Sequence, residues 1–396
     1  MWSQKKGMET LKEILKPLSY PLFVHGLVPY DITNTQVKYS KLKLAYGSLV
    51  VCSMSAVTIM FHDTAFDRFE TTSSIIKFII KSNIPCLLIT LIGSFLTSFF
   101  AKNKLNDILK ELELSDVELW NMSRSMRYLR NQSRSKKWSF GLLGFYLVYM
   151  LCIIALNLVE TLSLKDKERF FALLAQFPVL NKILVFISFL LALTIMEERF
   201  TTINAMIRMK IDESLKHKKY PPVCETFSQD LQRFVCMHIK NSKLTEKINS
   251  LFSLCLLLNI TATFLKLIGS IHLILCKFVI HSSHDNIGET LELCVYTIFN
   301  SLLLFLIAQE SKELNYKATE TRRLLLGIDI HPDKEEAYES AITAALRLMQ
   351  SDLNINACNL FNIDNTLIFS CISAGSTYLF VMMQYELEYS KNNKDS

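Results

Sequence analysis

Signatures of catalysis are missing from this chain. It has no H-E-x-x-H, no G-x-S-x-G, no G-x-G-x-x-G and no P-loop, which removes the support for an enzyme. Glycine and proline are scarce, 10 and 8 in 396 residues. The charged stretches between apolar runs therefore read as helix rather than linker. There is no internal repeat and no low-complexity tract, and without paired inverted halves a secondary transporter loses support. None of the ten cysteines forms a C-x-x-C pair. Most lie inside apolar runs, where Cys behaves as a small hydrophobe. Cys276 and Cys294 flank one short connection, where a bridge is possible. His281 and His284, in HSSHD, have no Cys nearby and read as a surface pair, so neither a metal nor a cofactor is expected. The first residues, MWSQKKGMETLKEILK, are amphipathic and charged and lack the apolar core of a cleavable signal peptide. The first span is then expected to act as its own insertion signal.

What the chain does have is apolar residues in long blocks. Half of it is apolar and the mean hydropathy is +0.25. A span needs about 20 largely apolar residues to cross a hydrocarbon core of roughly 30 Å. Seven segments qualify: Leu42 to Phe61, Ile75 to Phe100, Trp138 to Val159, Phe170 to Met196, Ser250 to Cys276, Leu291 to Ala308 and Thr366 to Tyr385. The expected fold is all-α, a polytopic membrane protein of seven transmembrane helices with long cytoplasmic helical extensions. The net charge of +6 sits in the gaps between spans. A nucleic-acid binder would gather it on one folded face, so no nucleic-acid partner is expected.

The basic residues also orient the chain. Residues 1–41, 101–137, 197–249 and 309–358 hold 31 Lys and Arg, whereas 62–74, 160–169, 277–290 and 385–396 hold 7. Basic connections stay on the cytoplasmic side. The N-terminus is then inside and the C-terminus outside, the inverse of a G-protein-coupled receptor. Asn121-Met-Ser and Asn131-Gln-Ser fall in a cytoplasmic connection and should escape glycosylation. Four regions follow: a cytoplasmic segment over 1–41, a six-span bundle over 42–308, a cytoplasmic helical base over 309–358, and the last span with its outer tail over 359–396. In the base, Gly327 reads as a helix C-cap. Ala341, Ala344, Ala345, Leu346 and Met349 read as an apolar stripe that needs a packing partner.

The seventh span carries the strongest pattern. At 100° per residue, Ser370, Ser373, Thr377, Val381, Gln384 and Glu388 fall within a stripe of about 80°. The remaining faces are apolar, with Ile368, Phe369, Ile372, Leu379, Phe380, Met382 and Met383. Small residues serve close helix packing. Gln384 and Glu388 do not suit that role, and the alternative is a water-filled path. One chain has a single such helix, so a pore would need several copies around an axis. A ring of Glu388, with Glu386 beside it, would concentrate cations at the mouth.

The same segment resembles the C-terminal signature of insect gustatory receptors: Thr-Tyr, five hydrophobic residues, Gln, Phe. Here it is Thr377-Tyr378, LFVMM, Gln384-Tyr385, with Tyr385 in the Phe position. Phe361, Asp364 and FVHGLVPYD over residues 23–31 are similar to other family positions. The resemblance implies a tastant-gated, non-selective cation channel of the plasma membrane, assembled as a homotetramer or with related receptors, in which the last span lines the pore. Thr377, Tyr378, Gln384 and Tyr385 become pore or gate positions. It also implies a small-molecule pocket between spans two and six, open to the outer side, for a bitter plant metabolite or a sugar. Lys77, Lys81, Asn83, Asn157, Gln176, Asn181, Lys182, Lys266, His272, Glu289, Glu292 and Tyr296 are polar at that depth. The candidates carried forward are Asn157, Gln176, Lys182, Lys266, His272, Glu292 and Tyr296. Ionisable side chains inside spans face a cavity or one another, so Glu289 or Glu292 could simply neutralise Lys182 or Lys266. Lys77 and Lys81 could instead snorkel to head groups. A receptor signalling through G proteins is the alternative; against it stand the orientation and the lack of Asp-Arg-Tyr and Asn-Pro-x-x-Tyr.

Overall fold

A computed structural model describes residues 2–27, 30–33, 36–66, 74–123, 126–160, 176–216, 223–279, 287–327, 335–349 and 353–395. The helices are α1 Trp2–Val24, α2 Lys41–Phe66, α3 Ser74–Phe100, α4 Lys102–Ser123, α5 Met126–Glu160, α6 Phe177–Lys216, α7 Val223–Val279, α8 Ile287–Leu326, α9 Glu335–Met349 and α10 Asn365–Asp395. Two short antiparallel hairpins complete the described residues: β1 Tyr30–Thr33 with β2 Gln36–Tyr39, and β3 Asn356–Ala357 with β4 Phe361–Asn362. Six helices are long and apolar enough to cross a membrane. A seventh crossing follows if α3 and α4, which meet at a 64° bend, are taken as one broken span. The chain is thus an all-helical, multi-pass membrane protein.

Helix α6 is the hub. It packs most extensively on α8, and also on α7 and α5. Its 18-residue apolar window is 83 % buried, because it carries hydrophobes on every face: Ile183, Leu184, Phe186, Ile187, Phe189 and Leu190 are all at most 1 % exposed. A helix apolar all round belongs in the middle of a bundle. Pro178 stands at its second position, where its missing N–H costs no intrahelical bond, and the next two amides bond the Gln176 carbonyl instead. Residues 170–175 of the span expected at Phe170 lie outside the described residues.

The long helices run on past the apolar blocks and form a second core. Leu119, Ile203, Ile207, Leu231, Phe234 and Leu325 meet Ala341, Ala344, Ala345 and Leu348 of α9 there. The expected stripe on α9 needs one correction. Leu346 and Met349 are 55 % and 50 % exposed, and Leu348 is buried instead. Leu346 falls about 140° from Ala341 around the helix, whereas Leu348 falls on its face at i+7. Gly327 does end α8, its amide bonding the Arg323 carbonyl. Two buried polar ties hold the base. Arg199 donates to Asp116 at 2.6 Å and to the Leu112 carbonyl at 3.1 Å, joining α6 to α4. Asn204 donates to the Lys317 carbonyl and accepts from Thr321, joining α6 to α8.

The N-terminal segment packs into the bundle. Ile14, Leu18 and Leu27 join the main core. His25 stacks on Phe177 with centroids 4.2 Å apart and meets the Tyr146 hydroxyl at 2.9 Å. Gly26 has φ +71°, and a Cβ built there would come within 2.9 Å of Gly47 Cα on α2. Two glycines at one crossing let the backbones touch.

Candidate functional site

Helices α5, α6, α7 and α8 each direct a polar side chain to one point in the bundle interior. Lys182 of α6 is fully buried and donates its ammonium to the Tyr296 hydroxyl at 2.9 Å. Lys266 of α7 places Nζ 4.0 Å from the centroid of the same ring. One phenol thus meets two lysine side chains, one at its oxygen and one over its face, where the ring quadrupole attracts positive charge. Gln176 donates to the Glu292 carboxylate at 3.2 Å, and Glu292 is close enough to Lys266 to interact with it electrostatically. Gln176, Lys182, Lys266, Glu292 and Tyr296 therefore form one cluster, two lysines with one carboxylate.

Sequence reasoning missed two members. Tyr149 of α5 is fully buried against Phe299. Asn300 of α8 donates to the Tyr296 carbonyl, which fixes it one turn from the cluster. The Tyr149 hydroxyl and the Asn300 side chain lie within reach of one another. A tyrosine and an asparagine inside apolar spans were the available signal. The other candidates separate from the cluster. Asn157 lies in α5, and its side chain falls outside the described residues, as do Asn83, Glu289, His281 and His284. Asn181 is buried with Oδ1 unpartnered. Lys77 is half-buried and Lys81 exposed.

His272 belongs to a different contact. It is fully buried on α7, and Nε2 stands 3.8 Å from Glu386 Oε1 and 3.5 Å from Cys276 Sγ. Cys276 Sγ in turn is 3.9 Å from Met383 Sδ. The expected place of Glu386 beside Glu388 is corrected accordingly: Glu386 is 5 % exposed and turned onto α7. Two residues separate their side chains by about 200° around a helix, so they cannot share a face. Cys276 and Cys294 are both free thiols, so no bridge joins them. Among the described residues no group of three or more His, Cys, Asp or Glu could hold a metal.

Helix α10 leaves the bundle nearly bare. Only 6 % of its apolar window is buried. Ser370, Ser373, Thr377, Val381, Gln384 and Glu388 are all exposed, and so are Tyr378 and Tyr385. Its few inward contacts are made on α7 and α8, with Gly375 against Ile268 and Phe264. The helix starts sharply because Asp364 caps it, accepting from the Thr366 amide at 2.8 Å. Phe361 anchors the preceding hairpin on the main core, and left-handed Cys358 and Asn359 turn it.

These features define a class: a multi-pass helical membrane protein with a polar cluster inside its bundle and one polar-edged helix largely uncovered at its side. The family of 7tm chemosensory receptors matches residues 15–389, and the chain belongs to that family, which is one of receptors and not of enzymes. A Drosophila melanogaster protein named "Putative gustatory receptor 28b" is 22 % identical over 420 residues, covering 95 % of this chain and 86 % of that one. The insect olfactory receptor OR5 from Machilis hrabei superposes with a TM-score of 0.67 at 14 % identity, covering 95 % of this chain and 98 % of the other. The same receptor in complex with eugenol superposes at 0.69 and 16 % identity, covering 96 % and 99 %. That likeness establishes the fold.

Proposed function

We propose that the chain is a gustatory receptor subunit of the plasma membrane that forms a tastant-gated, non-selective cation channel, with α10 from several copies lining a central pore. The observation that carries this reading is the bareness of α10. A helix so little buried in one chain, with hydroxyl, amide and carboxylate groups along one edge, needs water on that edge and protein or lipid on the others. A ring of copies supplies both. The basic connections orient the N-terminus to the cytoplasm and the C-terminus outside, which sets Glu388 at the outer mouth.

The polar cluster around Tyr296 is the ligand site in this reading. A small molecule enters the outer half of the bundle and replaces the Lys182–Tyr296 bond with bonds of its own, drawing also on the neighbouring Tyr149 hydroxyl and Asn300 amide. The eugenol complex of the olfactory receptor supports a small-molecule ligand for this fold. Helix α7 bears both Lys266 and His272, so displacement of Lys266 travels along one rigid element to the His272–Glu386 contact on α10. Ligand then favours the open arrangement by its differential affinity for it.

Cysteine substitution along α10 tests the pore. In patches from cells expressing only this chain, with G-protein signalling blocked, a charged thiol reagent should change the current at Ser373→Cys, Thr377→Cys and Gln384→Cys. It should not do so at Ile372→Cys or Phe380→Cys. A loss of all current when G proteins are blocked would favour the G-protein alternative.

A further inference from the structure

A partly open cavity of about 220 Å³ lies among α1, α3, α4, α6 and α7, and none of its walls belongs to the cluster around Tyr296. An apolar cavity of roughly 150 Å³ already takes up benzene or xenon while staying dry. Helix α6 shows how it arises. Between Asn181 and Phe200 only Ser188, Ala192 and Ile195 escape full burial, and all three face this space. Their spacing of four and three residues is one helical face, with small side chains at the first two positions. Three of the hydroxyls at the wall are already satisfied within their own helices. Ser94, Thr97 and Ser188 donate to the carbonyls of Thr90, Gly93 and Leu184 on their own helices. The remaining wall is almost wholly aliphatic.

Position and rim narrow the choice of occupant. The wall residues of α3 lie in its last two turns before the bend into α4, and those of α7 straddle the start of its apolar block. Both place the cavity at the basic ends of the spans. Ser19 lines it and is exposed, so it has a mouth. Tyr20 and Phe100, next in sequence to lining residues, are 74 % and 75 % exposed, as suits contact with lipid. Lys16 and Lys104, each next in sequence to a lining leucine, are exposed, with Lys104 Nζ 3.5 Å from the Ser250 hydroxyl of α7.

We infer that this cavity holds part of one acyl chain of an anionic phospholipid from the leaflet on the basic side, its head group drawn to Lys16 and Lys104. An aliphatic wall with an exposed apolar rim takes a hydrocarbon chain, and basic residues at a span end attract anionic head groups.

The full-length protein in phosphatidylcholine nanodiscs, doped with phosphatidylserine bearing a diazirine at the acyl terminus, tests this by photolabelling and peptide mapping. Label is expected on the α3 and α6 wall, around Ser98 and Ala192. Ala192→Phe should reduce it at least fivefold while label at lipid-facing Leu147 persists. Ser188→Leu serves as a second filling variant, and thermal melting reports whether each is folded. The Lys16→Glu/Lys104→Glu variant should lose the preference for phosphatidylserine over an equally labelled phosphatidylcholine. Label confined to outer surfaces, or equal in folded wild type and both filling variants, overturns the inference. So does equal labelling by the two lipids, or displacement of label by a soluble agonist, which would make the cavity a tastant site. The readout is independent of channel current, so failure of the pore reading leaves it standing.

Discussion

Asp116 and Arg199 are both nearly fully buried, their side chains 7 % and 4 % exposed. Removing one partner of such a pair strands a charge, at a cost of about 3–5 kcal/mol. Asp116→Ala should therefore lower the melting temperature of the detergent-solubilised protein sharply, and Asp116→Leu with Arg199→Met should recover most of the loss. Equal melting of Asp116→Ala and wild type would show the pair to be solvated. In the polar cluster, Tyr296→Phe removes the acceptor of the Lys182 side chain and keeps the ring under Lys266. Dose–response curves for an agonist found by a calcium-imaging panel should shift to higher concentration, with surface expression unchanged. Lys182, Lys266 and Tyr296 stand out in the sequence because charged and phenolic groups are costly inside apolar runs. That they meet on one ring does not, since three helices distant in sequence converge there.

Among the elements, α10 is the most legible. Its polar edge follows from spacing alone, because a helix turns by a constant angle per residue. The inward turn of Glu386 obeys the same rule, although Glu386 and Glu388 look like one acidic pair in sequence. Glu388→Lys should reduce inward cation current more at low ionic strength than at high, since salt screens a distant charge. Unchanged conductance at both would remove Glu388 from the mouth. Gln384→Ala should alter basal leak or gating at normal surface expression, read as current without agonist. His272→Ala cuts the contact between α7 and α10. Maximal agonist-evoked current should fall while binding of a radiolabelled agonist persists, and parallel loss of both would place His272 in the pocket instead. On α9, by contrast, apolar character alone assigns Leu346 and Met349 to the stripe, yet both sit off the face that α7 and α8 cover.

At the scale of the molecule, the seven apolar blocks and the charge bias suffice to specify a multi-pass helical protein. Their distribution along the chain decides it, because an unpaired backbone group in hydrocarbon costs several kcal/mol and only helices or closed barrels avoid it. The sequence by itself also determined the polar edge of the last span and the family signature upon it. Only the tertiary structure decided that α6 is the hub, that the N-terminal segment packs into the bundle beside Phe177, that Tyr149 and Asn300 join the polar cluster, and that α10 stays uncovered. The physical reason is range. Periodicity and hydropathy act within one helix, whereas which faces meet depends on side-chain volumes and on crossings between helices far apart in the chain.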